Sequence, residues 1–408
     1  MKTEQLNIFG SKRIDFNEQI QLTIASLNLH GAKHNHWAMA WSMGKDSTTL
    51  VTLTVQLILS GQVNPPKSLT VLCADTRMEL IPLWLAAKGV IEKLKTLGID
   101  VRIVTAPLDD RFFVYILGRG VPPPSNTFRW CTGQIKVEPM ETALQDLHDQ
   151  IGEKILMLTG VRQGESAIRD GRIAMSCSKD GAECGQGWYQ TGLDGDMCST
   201  LAPILHWRVC SIWDWLKIFA PSKQYGQWPT AILADAYGGE EAEEVNARTG
   251  CIGCPLAQED KALKVVIKMP EWNYLSPLLE LKLIYREMRN PQYRLRKNGA
   301  VKKDGTLAKN QQRLGPLTLS ARKMFLSRII EIQERVNTEA IKLDRPTIDI
   351  LNQEEIERIR TLIKLKTWPK DWDGTEIIGN VLLDRKYSDG STMKVLFEEL
   401  RQPTQNSI

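Results

Sequence analysis

Between residues 37 and 160 the chain alternates short apolar runs with longer segments of helical period, and few architectures accept that order. The runs are Trp37–Trp41, Leu69–Ala74, Val101–Thr105 and Ile155–Gly160; the helical patterns are Ser47–Leu59, Glu79–Leu97 and Glu138–Leu147. Strands that alternate with helices predict the α/β class, a parallel sheet with helices packed on it. Open sheets of this kind bind ligands at the carboxyl ends of their strands. The segments directly after the apolar runs are therefore where chemistry is expected.

The first of these segments is Ser42-Met43-Gly44-Lys45-Asp46-Ser47. A strand, a short Gly turn and a helix start make a phosphate cradle, because free amides at a helix N-terminus and the helix dipole both favour anions. Ser42 and Ser47 add hydroxyl donors and Lys45 a positive charge. This is not the Walker A loop, whose first Gly would fall at Met39 and whose Ser/Thr position is held by Asp46. The order S-x-G-K-D-S instead resembles the PP-loop of ATP pyrophosphatases, and that resemblance implies cleavage of ATP between its α and β phosphates, with Mg²⁺. Two later segments agree. Leu72-Cys73-Ala74-Asp75-Thr76-Arg77-Met78-Glu79-Leu80-Ile81-Pro82 resembles the DTGxxxPE segment of the phosphoadenosine phosphosulfate (PAPS) reductase branch, with Arg77 in place of the usual Gly. Asp75 is then expected at nucleotide or Mg²⁺, although an Asp that caps the next helix is an alternative. Gly160-Val161-Arg162-Gln163-Gly164-Glu165-Ser166-Ala167-Ile168-Arg169 resembles that branch's G-x-R-x-x-E-S-x-x-R segment. Arg162 and Arg169 are its expected phosphate contacts. The resemblance implies a nucleotide site of Ser42, Met43, Gly44, Lys45, Asp46, Ser47, Asp75, Gly160, Arg162 and Glu165, with Lys45, Asp46, Asp75, Arg162 and Arg169 as catalytic groups.

The eight cysteines are the second constraint. No apolar run approaches the roughly 18 residues of a membrane span, and the first ten residues lack the apolar stretch of a secretory signal. A cytoplasmic chain without membrane contact is expected, and there clustered cysteines point to metal or catalysis before disulfides. Cys131 in Arg129-Trp130-Cys131-Thr132, with Lys136 downstream, stands where iron–sulfur PAPS reductases carry a Cys-Cys pair; Cys251 and Cys254 in Gly250-Cys251-Ile252-Gly253-Cys254-Pro255 stand at their CxxC. The resemblance implies a 4Fe-4S cluster on Cys131, Cys251 and Cys254, with Cys184 the first choice for a fourth ligand and Cys177 the second. Cys177 and Cys184 could equally join Cys251 and Cys254 in a Cys₄ site, and a three-ligand cluster could hold a sulfide on its open iron. Cys73 and Cys210 read as small hydrophobes, and Cys198 as undecided.

The third constraint is charge. The net charge of +4 over 408 residues conceals a segment, 261–330, with 16 Lys and Arg against four acids, a local +12. Lys282, Arg286, Arg289, Arg294, Arg296, Lys297, Lys302, Lys303 and Lys309, with Tyr285 and Tyr293 interleaved, suit a nucleic-acid backbone; a surface for an acidic partner is the alternative. Taken jointly, SMGKDS, RWCTGQIK, GVRQGES, RTGCIGC and YREMRNPQYRLRK resemble the DndC/SspD-type proteins of bacterial DNA phosphorothioation, a restriction-modification chemistry, over about Asn35–Gln333. That resemblance implies adenylation of a DNA phosphate by ATP and replacement of a non-bridging oxygen by sulfur, with a cysteine desulfurase and other phosphorothioation proteins as partners. A tRNA thiolation enzyme, a PAPS-reductase-like sulfonucleotide enzyme and a nucleotide-binding module without turnover are the alternatives. The absence of cysteine after Cys254 speaks against plain PAPS reduction. At roughly 100–200 residues per domain, the expected organisation is an N-terminal helical segment (1–34), a PP-loop domain (35–260) with a Cys-rich irregular insertion at about 162–201, and a basic, mostly helical C-terminal domain (261–408).

Overall fold

The computed structural model describes residues 14–164, 188–193, 197–238, 250–297, 299–302, 304–306, 308, 312–380, 385–386 and 391–393. Glu165, Arg169, Cys177, Cys184, Lys303 and Lys309 lie outside the described residues. Two compact units interleave along the chain: residues 1–75, 80–104 and 139–249 form the first, and residues 76–79, 105–138 and 250–408 the second.

The first unit opens with α1 (Phe16–Gly31), which starts at a capping box: Asp15 accepts from the Glu18 amide at 2.8 Å and Glu18 from the Asp15 amide at 3.0 Å. This satisfies two amide donors at the helix entry. Then come β1 (His36–Trp41), α2 (Lys45–Leu59), β2 (Ser68–Asp75), α3 (Ile81–Thr96), β3 (Asp100–Thr105), the helix Glu138–Ile151 and β4 (Ile155–Leu158). Each expected strand and helix of this region is present, with ends displaced by up to four residues. The helix expected from Glu79 starts at Ile81, with Leu80 at its N-cap, so Asp75 does not cap it.

Six strands form one sheet in the order β3-β2-β1-β4-β6-β5, where β5 is Trp188–Leu193 and β6 is Cys198–Ala202. β1 runs parallel to β2 and β4, and β4 parallel to β6; β5 is the antiparallel edge. Both strands at the end of the Cys-rich stretch correct the expectation of an irregular insertion up to Leu201. The sequence CSTLA is too short and too polar to announce a strand, yet its backbone completes the ladder on β4 and it is mostly buried. The central strands read as continuous apolar runs because both of their faces are covered. Ala38, Leu72, Ile155, Met157 and Cys198 pack with Leu144 and Leu147 of the helix Glu138–Ile151 in one core cluster. On α2, Leu50, Val51, Leu53, Val55 and Leu57 are buried, at about 1.5–3 kcal/mol for each side chain withdrawn from water.

The second unit is helical with two small sheets among the described residues, one of them the antiparallel pair Arg385–Lys386 and Thr392–Met393. It contains the 24-residue helix Leu319–Lys342, the helix Gln353–Lys364, shorter helices at Lys261–Val266 and Glu280–Glu287, and a three-stranded antiparallel sheet of Arg294–Arg296, Leu314–Leu317 and Ile377–Ile378. The three-stranded sheet interrupts the basic, mostly helical region expected there. Arg294 and Arg296 alternate with buried Leu295 in a strand, and so short an alternation cannot be told from a helix turn in the sequence.

Candidate functional site

The sheet order places a topological switch between β1 and β4, since the chain moves outward from β1 through β2 to β3 on one side and through β4 to β6 on the other. Ligands of open α/β sheets enter at such a crevice, beyond the strand carboxyl ends. Ser42–Ser47 lies there, directly after β1.

The loop's own bonds explain its shape. Met43 is buried with φ +63, a left-handed conformation rare outside glycine. Its carbonyl accepts from Thr48 Oγ1 at 3.2 Å, and Trp41 Nε1 donates to the same hydroxyl at 2.9 Å. Ser42 and Ser47 hydroxyls lie 3.2 Å apart, and Ser47 Oγ donates to the Gly44 carbonyl at 3.1 Å. Gly44 is the N-cap of α2 and supplies no side-chain cap, so the helix start keeps amide donors for an anion.

Three further groups converge on the loop. Gly160, two residues past β4, lies so close that a Cβ there would meet Ser47 N and Cα at 2.9 Å. The glycine that opens GVRQGES is thus required by packing against the loop. Arg162, 5% exposed, bonds Asp46 through Nε and the Trp207 carbonyl through Nη1 at 3.1 Å. Lys45 Nζ reaches the other Asp46 oxygen at 3.2 Å. Asp46 therefore bridges the two cations, and Asp75 stands at the carboxyl end of β2, two residues past the Trp41–Cys73 pair of the β1–β2 register. Tyr237 completes the set: its hydroxyl accepts from the Lys45 amide at 3.1 Å and Lys45 Nζ sits 5.2 Å from its ring centre. It lies 192 residues from Lys45, in Ala231–Tyr237, and nothing in that segment marks it as a nucleotide residue. Gly160→Ala should reduce nucleotide turnover by about tenfold or more, because displacements near 1 Å at a reacting site are that costly; pyrophosphate release measured beside the unfolding midpoint checks this.

In the second unit the cysteines meet. Cys131 belongs to the short helix Trp130–Thr132, and Cys251 and Cys254 flank a tight turn in which the Cys254 amide donates to the Cys251 carbonyl at 3.0 Å. Gly253 takes φ +64 there, and a Cβ would meet Leu281 Cβ at 3.0 Å. Asp260 fixes the turn by accepting from the Gly253 amide at 2.7 Å and from the Leu263 amide at 3.1 Å. Burial pushes the Cys251 thiol up to about 11; Lys136 pulls it down, while Glu79, Cys254 and Cys131 add to the rise. Cys131 is raised too, by burial first and then by Cys254. Lys136 is held above its ordinary value chiefly by Cys251, against burial, with Glu79, Cys131 and Cys254 contributing. Three thiols from two distant segments of the sequence thus share one neighbourhood with a lysine. Among the described residues, no group of three or more His, Cys, Asp or Glu side chains is arranged to hold a metal ion. The chemistry of the three thiols is that of a soft donor set, which iron–sulfur clusters and zinc both take. With the Cys131 and Cys251 thiols raised, metal binding must release protons. Free of metal, Cys251 should alkylate at pH 8 about a hundredfold more slowly than an unperturbed cysteine in a reference peptide, because only the thiolate reacts. Mass spectrometry of labelled peptides reads that ratio.

Trp130, in place of the first cysteine of the family's pair, is an aromatic packing residue: it stacks on Phe112 at 5.6 Å and donates Nε1 to the Pro122 carbonyl at 3.1 Å. Arg77, in place of glycine, keeps the left-handed backbone at φ +63, its guanidinium paired with Asp349 at 3.0 Å and Glu355 at 3.5 Å. Cys73 and Cys198 are buried, whereas Cys210, expected as a small hydrophobe, is exposed. The basic stretch divides. Arg294 donates to the Gly315 carbonyl, Arg296 to the Gly379 and Gln312 carbonyls, and Lys297 pairs with Glu376 at 2.9 Å. These three cations hold the three-stranded sheet and the residues flanking its strands.

No curated protein matches the chain. Among solved structures it is similar to FMN adenylyltransferase of Candida glabrata in complex with FMN and the ATP analogue AMPCPP, at 16% identity over 50% of this chain and TM-score 0.32. The similarity spans 60% of that chain and 58% of the chain in a second structure, of a mutant of the same enzyme. It is also similar to PAPS reductase of Candida auris (12% identity, 51% of this chain and 88% of that one, TM-score 0.32) and to the U34-tRNA thiolase NcsA of Methanococcus maripaludis with its [4Fe-4S] cluster (14%, 66% and 77%, TM-score 0.34). Residues 36–218 match the phosphoadenosine phosphosulfate reductase domain family. That match spans the stretch that holds β1, the phosphate loop, Asp75, Gly160 and Arg162.

Proposed function

We propose that the chain is the ATP pyrophosphatase and sulfurtransferase component of bacterial DNA phosphorothioate modification, which adenylates a backbone phosphate so that sulfur can replace a non-bridging oxygen. The observation that carries the nucleotide half is the start of α2, without a side-chain cap and with Lys45 beside it. Lys45, Ser42, Ser47 and the loop amides hold the β and γ phosphates of ATP. Asp46 and Asp75 are the carboxylates that would hold Mg²⁺, which supplies charge neutralisation between the phosphates. Bringing a DNA phosphate to the α-phosphate costs electrostatic repulsion, and Arg162, with Arg169, offsets it. Asp46 keeps Arg162 oriented until substrate arrives. Cys131, Cys251 and Cys254 would hold the iron–sulfur cluster, with Cys184 or Cys177 as a fourth ligand; the cluster supplies or relays sulfur. A cysteine desulfurase and other modification proteins are the partners this chemistry requires.

The DNA half is supported by the basic segment Lys282–Lys309, in which Lys282, Arg286 and Arg289 make no ion pair among the described residues. The test is product analysis with the purified chain, prepared without oxygen. ATP should give AMP and pyrophosphate, faster with DNA than with tRNA. ADP and phosphate as products, or stimulation by tRNA alone, would remove the reading.

A further inference from the structure

Lys282, Arg286 and Arg289 recur at i, i+4 and i+7, on one face of the helix Glu280–Glu287 and the turn after it. They line a surface cavity of about 210 Å³ together with Tyr285 and Asn126, and none of its lining residues is acidic. Their backbone partners are all carbonyls: Lys282 Nζ donates to those of Cys254 and Ala257, Arg286 to that of Gln258, and Arg289 to those of Pro124 and Pro255. Carbonyl oxygens satisfy N–H groups but neutralise no charge. Asp260, on the neighbouring turn, has its oxygens on the Gly253 and Leu263 amides.

Two donors at this cavity have no acceptor among the described residues. The Tyr285 side chain is 1% exposed and its hydroxyl has no hydrogen-bond partner; Arg289 Nε is buried and unpartnered too. A buried donor left without an acceptor costs about 1–3 kcal/mol, and such groups in a native structure mark a strain, a ligand or a missing partner. Three cations without an ion pair among the described residues, beside two idle donors, match one ligand chemistry, a tetrahedral oxyanion. The volume is below the roughly 300 Å³ at which pockets take drug-sized molecules, so the occupant is a small group. Arg286 is exposed, which leaves the anion's remaining substituents outside the cavity, as a diester requires.

We propose that Lys282, Tyr285, Arg286 and Arg289 form a pocket for a single phosphate group of a nucleic-acid strand. The pocket stands on its own geometry; its assignment to a polynucleotide rests on the DNA reading given above. It assigns phosphate contact to these side chains; Arg294, Arg296 and Lys297 do not line the cavity.

The test uses the full chain with its nucleotide loop saturated by a non-hydrolysable ATP analogue. Inorganic phosphate should raise the unfolding midpoint of the wild type, and Tyr285→Phe and Arg286→Gln should each raise the half-saturating phosphate concentration by about tenfold. Without phosphate, Tyr285→Phe should be no less stable than wild type, because it removes an idle buried hydroxyl. Binding of a DNA duplex across a salt series should weaken by about tenfold in Arg286→Gln, with the log–log salt slope reduced by about one. A phosphate response that neither variant changes, or a Tyr285→Phe chain that is destabilised with unchanged phosphate affinity, overturns the pocket. A phosphate response lost in both variants with duplex affinity intact overturns the polynucleotide as occupant. Neither readout involves sulfur incorporation, so failure of the phosphorothioation reading would be seen separately.

Discussion

Lys45→Ala should lower ATP-dependent pyrophosphate release by about 10²–10³-fold, the cost typical of removing one preorganised charge or donor from a developing anion. The lysine is 11% exposed, 3.2 Å from Asp46 and stacked over Tyr237, so its ammonium is positioned before nucleotide arrives. Its removal also frees Asp46, leaving that carboxylate to Arg162 alone. Lys45→Arg should recover little, because a planar fork cannot replace a point charge in so tight a turn. Steady-state pyrophosphate release is the measurement, and a loss below about threefold would show that the loop does not carry the reaction.

The second large effect is on stability. Arg322 is 0% exposed; Nε donates to the Leu317 carbonyl at 3.0 Å, and Nη1 to those of Gly118 at 3.1 Å and Thr367 at 2.7 Å. Its guanidinium lies 4.2 Å from the Trp368 ring centre. Burial pulls this group down to about 9, still cationic at neutral pH. Gly120 makes room for it with φ +81, where a Cβ would collide with Nη2. Arg322→Ala leaves three carbonyls without their donor and opens a cavity, and should cost about 3–5 kcal/mol. Denaturant unfolding should show the loss in the transition of the second unit. A cost under about 1 kcal/mol would mean that water replaces the guanidinium freely.

How much of this was legible in the sequence depends on the kind of signal. β1, β2 and β4 are apolar runs covered on both faces, and hydropathy alone finds them. Ser42–Ser47 is local, so its cradle could be read from spacing. Gly160 and Arg162 could be named only through a family resemblance, but their reasons are geometric: one is the absence of a Cβ against Ser47, the other a bond to Asp46. β6 escaped because its five residues look polar until the ladder with β4 is known. Tyr237 and Arg322 escaped for a different reason. Each acts through long-range contacts, and a lone tyrosine or one more arginine in a basic helix carries no periodic mark. The +12 segment was legible as charge but not as function, since only burial and partners separate the cations that hold the three-stranded sheet from those that face the cavity.

The central claim is that ATP activation by this chain ends in sulfur on DNA. It is tested by nuclease digestion of host DNA, and of host tRNA in parallel, from cells with the gene, without it, and with Lys45→Ala, followed by mass spectrometry of the products. The account predicts phosphorothioate dinucleotides in DNA that vanish in both deficient strains, with tRNA unchanged. Unchanged DNA alongside a loss of thionucleosides from tRNA would contradict it.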